Sequence, residues 1–152
     1  MNNEASASFS TRRSRALKIL VIDDDYAVRE LLQMTLKEAG HEVLAAADGE
    51  VGRAIALREQ PDIILCDVYM PGLSGHQVLN SLRSDYQTRH IPFIFISGCH
   101  ENQSIRLGMA AGAAEYIAKP FNPEELDEAI GACERKLTSF ARLTDPLCLQ
   151  AG

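Results

Sequence analysis

The sequence predicts a doubly wound α/β domain, a parallel sheet with helices on both faces. Three observations predict it. Short apolar runs alternate strictly with segments of helical periodicity, five times in succession, which implies parallel strands joined by helical crossovers. The apolar runs are uninterrupted, as expected of strands buried on both faces. Most of them stop abruptly at a carboxylate, a hydroxyl or an ammonium side chain.

The first strand is predicted over 16–22 (ALKILVI), ending in Asp23, Asp24 and Asp25. Val28, Leu31, Leu32, Leu36 and Ala39 then form an apolar stripe at helical spacing, and the helix is expected to stop at Gly40. A second strand spans 41–46 and a second helix 50–59. After Pro61, the run DIILC at 62–66 is a third strand that ends at Asp67. The segment MPGLSG at 70–75 is loop chemistry, in which Gly72 and Gly75 serve the backbone turn. A third helix is expected over 76–83, a fourth strand over 93–96 ending at Ser97-Gly98, and a fourth helix over 102–111. The fifth strand, 114–118, ends at Lys119-Pro120. Asn122 caps the last helix, with Pro123 in its first turn and Glu124 and Glu125 complementing its dipole.

A chain of 152 residues suffices for one domain with a real core and is short for two. With 46% apolar and 24% charged residues its composition is that of an ordinary globular protein. A net charge of −6 is a poor match for nonspecific binding to nucleic acid or to an anionic membrane. No helix-turn-helix pattern follows the last predicted helix, so direct DNA binding is not expected, and no apolar run approaches a membrane span. Residues 1–15, polar and Ser-rich with Arg12, Arg13 and Arg15, read as a flexible leader without a signal-peptide core. Cys66, Cys99, Cys133 and Cys148 form no CxxC pair and read as free thiols of a reducing compartment, hence a cytoplasmic location.

In an open parallel sheet, ligands bind beyond the carboxyl ends of the strands, where the strand order reverses. If the order is 2-1-3-4-5, strands one and three are neighbours at that point. Asp23, Asp24, Asp67, Ser97 and Lys119 then converge on one patch. Three carboxylates so close repel one another and call for a cation; oxygen ligands and few carboxylates suit Mg²⁺. A metal and an ammonium beside a carboxylate form a cradle for a phosphoryl group that the carboxylate can attack. Each residue alone has a plainer alternative: a solvated Asp turn, a loop cap at Asp67, a Ser-Gly turn, a surface lysine.

The pieces ILVIDDD at 19–25, DIILCDVYMPGLSG at 62–75, FIFISG at 93–98 and EYIAKPF at 115–121 occur together in one order. With them the chain resembles the receiver domains of two-component response regulators over 16–138, with 139–152 left as a tail or the start of a linker. The resemblance implies a flavodoxin-like (βα)₅ fold of strand order 2-1-3-4-5. It makes Asp67 the phosphoacceptor and Asp23, Asp24, Asp67 and the backbone carbonyl of Tyr69 the ligands of Mg²⁺. Ser97 would hydrogen-bond a phosphoryl oxygen, Lys119 would pair with the phosphoryl group, and the Lys119-Pro120 bond would be cis. Tyr116 would act with Ser97 as an aromatic switch, or else be only a half-buried ring. Implied partners are a sensor histidine kinase or a phosphotransfer protein and a downstream output domain or target. Signalling would run through a surface of the fourth helix, fifth strand and fifth helix, which also admits a homodimer. Tyr69 and Cys99 are less usual neighbours of Asp67 and Ser97, and they put the lifetime of the phosphorylated form in question. No catalytic activity is implied beyond self-phosphotransfer and self-dephosphorylation.

One enzyme class competes. A phosphatase of the haloacid-dehalogenase type would use Asp23 as nucleophile and Asp25 as acid, but it leaves Asp67 and its MPG loop unexplained. The segment ARLTDPL at 141–147 faintly resembles the start of diguanylate cyclase domains.

Overall fold

The computed structural model describes residues 16–98 and 102–144. The leader 1–15, Cys99 and residues 145–152, with Cys148, lie outside them. Ten elements alternate: β1 (Lys18–Ile22), α1 (Tyr26–Glu38), β2 (Glu42–Ala46), α2 (Gly49–Glu59), β3 (Ile63–Cys66), α3 (Gly75–Ser84), β4 (Phe93–Ser97), α4 (Asn102–Ala110), β5 (Glu115–Ala118) and α5 (Pro123–Thr144). The strands form one parallel sheet of order β2-β1-β3-β4-β5. Each predicted element is present, with ends displaced by one or two residues where caps decide them. The exception is α5, which runs on to Thr144, past the boundary drawn at 138.

Alternation along each strand sends side chains to two cores. Leu20, Ile22, Ile64, Cys66, Phe93 and Phe95 pack with Ala56 of α2 and Val78, Leu79 and Leu82 of α3. Ile19, Val21, Ile63, Leu65, Ile94, Ile96 and Ile117 face the opposite way, onto Leu32 and Leu36 of α1 and Leu126, Ala129 and Ile130 of α5. Strands apolar on both faces are thus explained by two helical layers. Burying one such side chain contributes about 1.5–3 kcal/mol, so the central strands are the firmest part of the molecule.

Local chemistry sets the helix ends. Asp25 caps α1, its carboxylate accepting from the amides of Ala27 and Val28. Ser74 and Gln77 form a reciprocal capping box at α3. Asn122 accepts from the Glu125 amide at 2.8 Å and starts α5, as its position before Pro123 predicts. Gly40, with φ 94°, ends α1 in the left-handed conformation that glycine adopts without strain.

Candidate functional site

The residues singled out in the sequence gather at the carboxyl end of the sheet. The register sets Ile22 opposite both Ala46 and Cys66, so the residues that follow β1 and β3 emerge side by side. Their backbones are anchored: the Asp23 amide donates to the Ala46 carbonyl at 3.1 Å and the Asp67 amide to the Ile22 carbonyl at 3.0 Å. Asp23 and Asp67 are both buried, whereas Asp24 faces solvent.

Lys119 reaches across from the end of β5. Its Nζ lies 3.0 Å from Asp23 Oδ2 and 3.4 Å from Asp67 Oδ2. The Lys119 amide donates to the Ser97 carbonyl at 2.9 Å, which fixes the start of the lysine against the end of β4. The Lys119-Pro120 peptide is cis. Ser97 is buried at the end of β4, opposite Ala118 in the register. Tyr116 is half-buried, its ring 5.9 Å from that of Phe95. Tyr69 lies in the loop after Asp67 and is 56% exposed.

The electrostatics are unbalanced. Burial pushes the Asp67 carboxyl above the usual carboxylate range; Lys119 pulls it back, and the neighbouring Asp23 pushes it further up. Burial also works against the Lys119 ammonium, but the hydrogen bond and charge of Asp23, with those of Asp67, outweigh it and hold its pKa above the ordinary lysine value. Lys119 therefore stays charged. Cys66, beneath the site, is a free buried thiol held well above its ordinary pKa, first by burial and then by Asp67 and Asp23. It is inert as a nucleophile.

Among the described residues, Asp23, Asp24 and Asp67 form the one group that could hold a metal ion, with ligand oxygens within 4.8 Å of one another. An all-oxygen, three-carboxylate set is the donor chemistry of a hard divalent cation, and a lysine against two of them leaves net negative charge for it to offset. The residues fit Mg²⁺ on those grounds.

Two features escaped the sequence reading. Asp25, assigned as the acid in the competing phosphatase scheme, is spent on the cap of α1, a role that its place before a helix could have signalled. Arg29, one turn further on, donates from its Nη1 to the Asp23 carbonyl at 2.8 Å and braces the loop that carries the acidic group. An arginine on an exposed helix face carries no signal of that kind.

The family model "Response regulator receiver domain" matches residues 19–131. The chain belongs to that family, a class of signalling domains in two-component systems. Among curated relatives, the DNA-binding dual master transcriptional regulator RpaA of Synechocystis is 37% identical over 119 residues, 78% of this chain and 49% of that protein. Response regulator PleD of Caulobacter vibrioides is 38% identical over 130 residues, 86% of this chain and 28% of that protein. The chain thus spans about half or less of the length of these relatives. Among solved structures, chemotaxis protein CheY4 of Vibrio cholerae superposes with a TM-score of 0.74 at 32% identity, covering 78% of this chain and 99% of that one. A receiver domain protein from Clostridium thermocellum gives 0.77 at 30% identity, covering 83% and 99%. The doubly wound fold and strand order expected from the sequence are those of the structure. No helix among the described residues is long and apolar enough to cross a membrane.

Proposed function

We propose that this domain is a Mg²⁺-dependent phosphorylation switch with Asp67 as phosphoacceptor. The observation that carries the reading is the bridge of Lys119 between the buried carboxylates of Asp23 and Asp67. It holds a cation where phosphoryl oxygens would arrive, at the mouth of a parallel sheet. An Asp67 carboxylate oxygen attacks the phosphorus of a phosphohistidine on a kinase or phosphotransfer protein. The P–N bond breaks and its electron pair returns to the donor imidazole. Lys119 pairs with the incoming oxygens. Asp23, Asp24, Asp67 and the Tyr69 carbonyl would hold Mg²⁺, which supplies charge neutralisation at the phosphoryl group. Ser97 takes one phosphoryl oxygen, and Tyr116 follows its movement.

The domain spans 16–138 in this reading and signals through α4, β5 and α5 to an output domain or partner, with a homodimer over the same surface as one form. It works in the cytoplasm and turns over no external substrate. Incubation with a small acyl phosphate and Mg²⁺ should give an acid-stable, base-labile label on the wild type and none on Asp67→Asn, scored by intact-mass spectrometry. Equal labelling of the variant would sink the assignment.

A further inference from the structure

Helix α4 is embedded in the core less deeply than its neighbour α3. α3 buries Val78, Leu79 and Leu82, but the buried residues of α4 are Ser104 and Gly108, one polar and one without a side chain. Of the large apolar residues of α4, Leu107 is 57% exposed and Met109 45%, while Ile105 is half-buried. Apolar burial on this helix is thus confined to part of Ile105, and specific contacts add to its seating.

Those contacts come from α3 and β4. His76 Nε2 lies 3.1 Å from Ser104 Oγ. The imidazole packs on Phe95, centroids 4.9 Å apart, and Phe95 in turn meets Tyr116. Gly108 lets the helix press onto the same two rings: a Cβ there would stand 2.7 Å from Phe95 Cε2 and 3.3 Å from His76 Cε1. At the far end, Arg83 Nη2 donates to the Gly112 carbonyl at 3.0 Å. His76 is also tied to the site by its neighbour. Gly75 packs so tightly on the Asp67 carbonyl that a Cβ would come within 2.2 Å of that oxygen, and its amide donates to the Val68 carbonyl at 2.7 Å.

We infer that the His76–Ser104 hydrogen bond is a latch that holds α4 in the arrangement proper to an unmodified Asp67, the one in which Lys119 sits directly on the aspartate carboxylate. His76 and Ser104 are positioning residues: neither touches the reacting atoms, and both act through α4. The latch runs from the Asp67 loop through α3, alongside the route through Ser97 and Tyr116, and the two meet at Phe95. Opening α4 breaks the latch, so the latch weights the equilibrium toward the resting arrangement. A modification shifts that equilibrium only by its differential interaction with the two states, and a weaker latch leaves it less to overcome.

This inference rests on the phosphorylation reading for its functional half alone, and the test separates the two. Hydrogen exchange of the α4 amides is measured without any phosphoryl donor in His76→Phe, Ser104→Ala and the double variant. Loss of one net hydrogen bond should speed exchange between residues 106 and 113 roughly fivefold. Amides of β1 and β3 should be unchanged, and the double variant should be no faster than either single one, because the pair acts as a unit. Unchanged α4 exchange, or effects that multiply in the double variant, would overturn the latch. Beryllium fluoride with Mg²⁺, a tetrahedral stand-in for a phosphoryl group on a carboxylate, should then bind the single variants more tightly by a similar factor. Mere damage to the fold would weaken that binding, and a weaker value overturns the latch as well. Failure of the wild type to bind beryllium fluoride counts against the phosphorylation reading and leaves the exchange result to judge the latch.

Discussion

The two ends of strand β3 each carry an aspartate, and they treat it in opposite ways. Before the strand, Asp62 Oδ2 accepts a hydrogen bond from the Lys18 amide at 2.8 Å, stapling β3 to the start of β1. Its neighbours at that end are used alike. His41 Nδ1 accepts from the Leu17 amide, Thr88 donates to the Leu82 carbonyl, and Arg83 Nη1 donates to the Ile91 carbonyl at 2.8 Å. After the strand, Asp67 faces Asp23, Asp24 and Lys119, with its carboxyl pushed up by burial. One end satisfies its polar side chains with backbone groups that cannot leave. The other sets like charges against each other and a single ammonium. The difference teaches where stability has been kept and where it has been given up for chemistry. A polar group tied to backbone holds strands in register, whereas carboxylates set close together repel one another until a cation offsets them.

The comparison can be broken most severely at the charged end. Asp24→Ala should abolish Mg²⁺-dependent labelling of Asp67, because it removes a ligand from the three-carboxylate group. In metal-free buffer the same change should leave thermal stability unchanged or slightly higher, since it removes a repelling charge. A metal titration followed by label yield checks the first part, and a melting curve in chelator the second. Undiminished labelling would exclude Asp24 from the metal site.

Gly75→Ala tests the packing at the Asp67 end. A Cβ would meet the Asp67 carbonyl oxygen at 2.2 Å, and backbone must shift to admit it. The expected cost is about 1–3 kcal/mol in urea unfolding, together with slower labelling, because the shift moves Asp67, the residue proposed to take the label. Asp62→Ala should cost about 1–2 kcal/mol by removing the acceptor of the part-buried Lys18 amide. Label yield on Asp67 should not change. Loss of labelling in a stably folded Asp62→Ala protein would show that the two ends are not independent.

The smallest effect is a pH dependence from His76. Burial lowers its pKa below the ordinary value. The unfolded chain therefore takes up the proton first, at about pH 6.5. Between that value and the lower folded pKa the unfolded state binds more protons, so stability should be full above about pH 6.5 and decline below it. His76→Phe should remove that slope. Urea midpoints at pH 7.5 and 5.5 in the two proteins decide the point, and an unaltered slope in the variant assigns the dependence elsewhere.

Much of this was legible in the sequence because its signals are local and periodic. Uninterrupted apolar strands with helical stripes between them can bury their surface only between two helical layers, and that requirement alone specifies the doubly wound class. The positions of Asp23, Asp67, Ser97 and Lys119 at strand ends followed from the same alternation. Helix boundaries were less certain because caps settle them; α5 continues to Thr144 although no break in its pattern marks where a domain should stop.

Relations between residues far apart in the chain emerge only when the layers pack. That Asp25 belongs to α1 while Asp24 belongs to the acidic group depends on where the first turn of the helix begins. That Lys119 Nζ lies nearer Asp23 than Asp67 depends on how β5 sits at the sheet edge. That His76 meets Ser104 depends on the close approach permitted by Gly108, and nothing in the spacing of those three residues announces it. Periodicity reports which face a side chain takes relative to its own element. It is silent on which atom of another element waits there, because that distance is set by the packing of every layer in between.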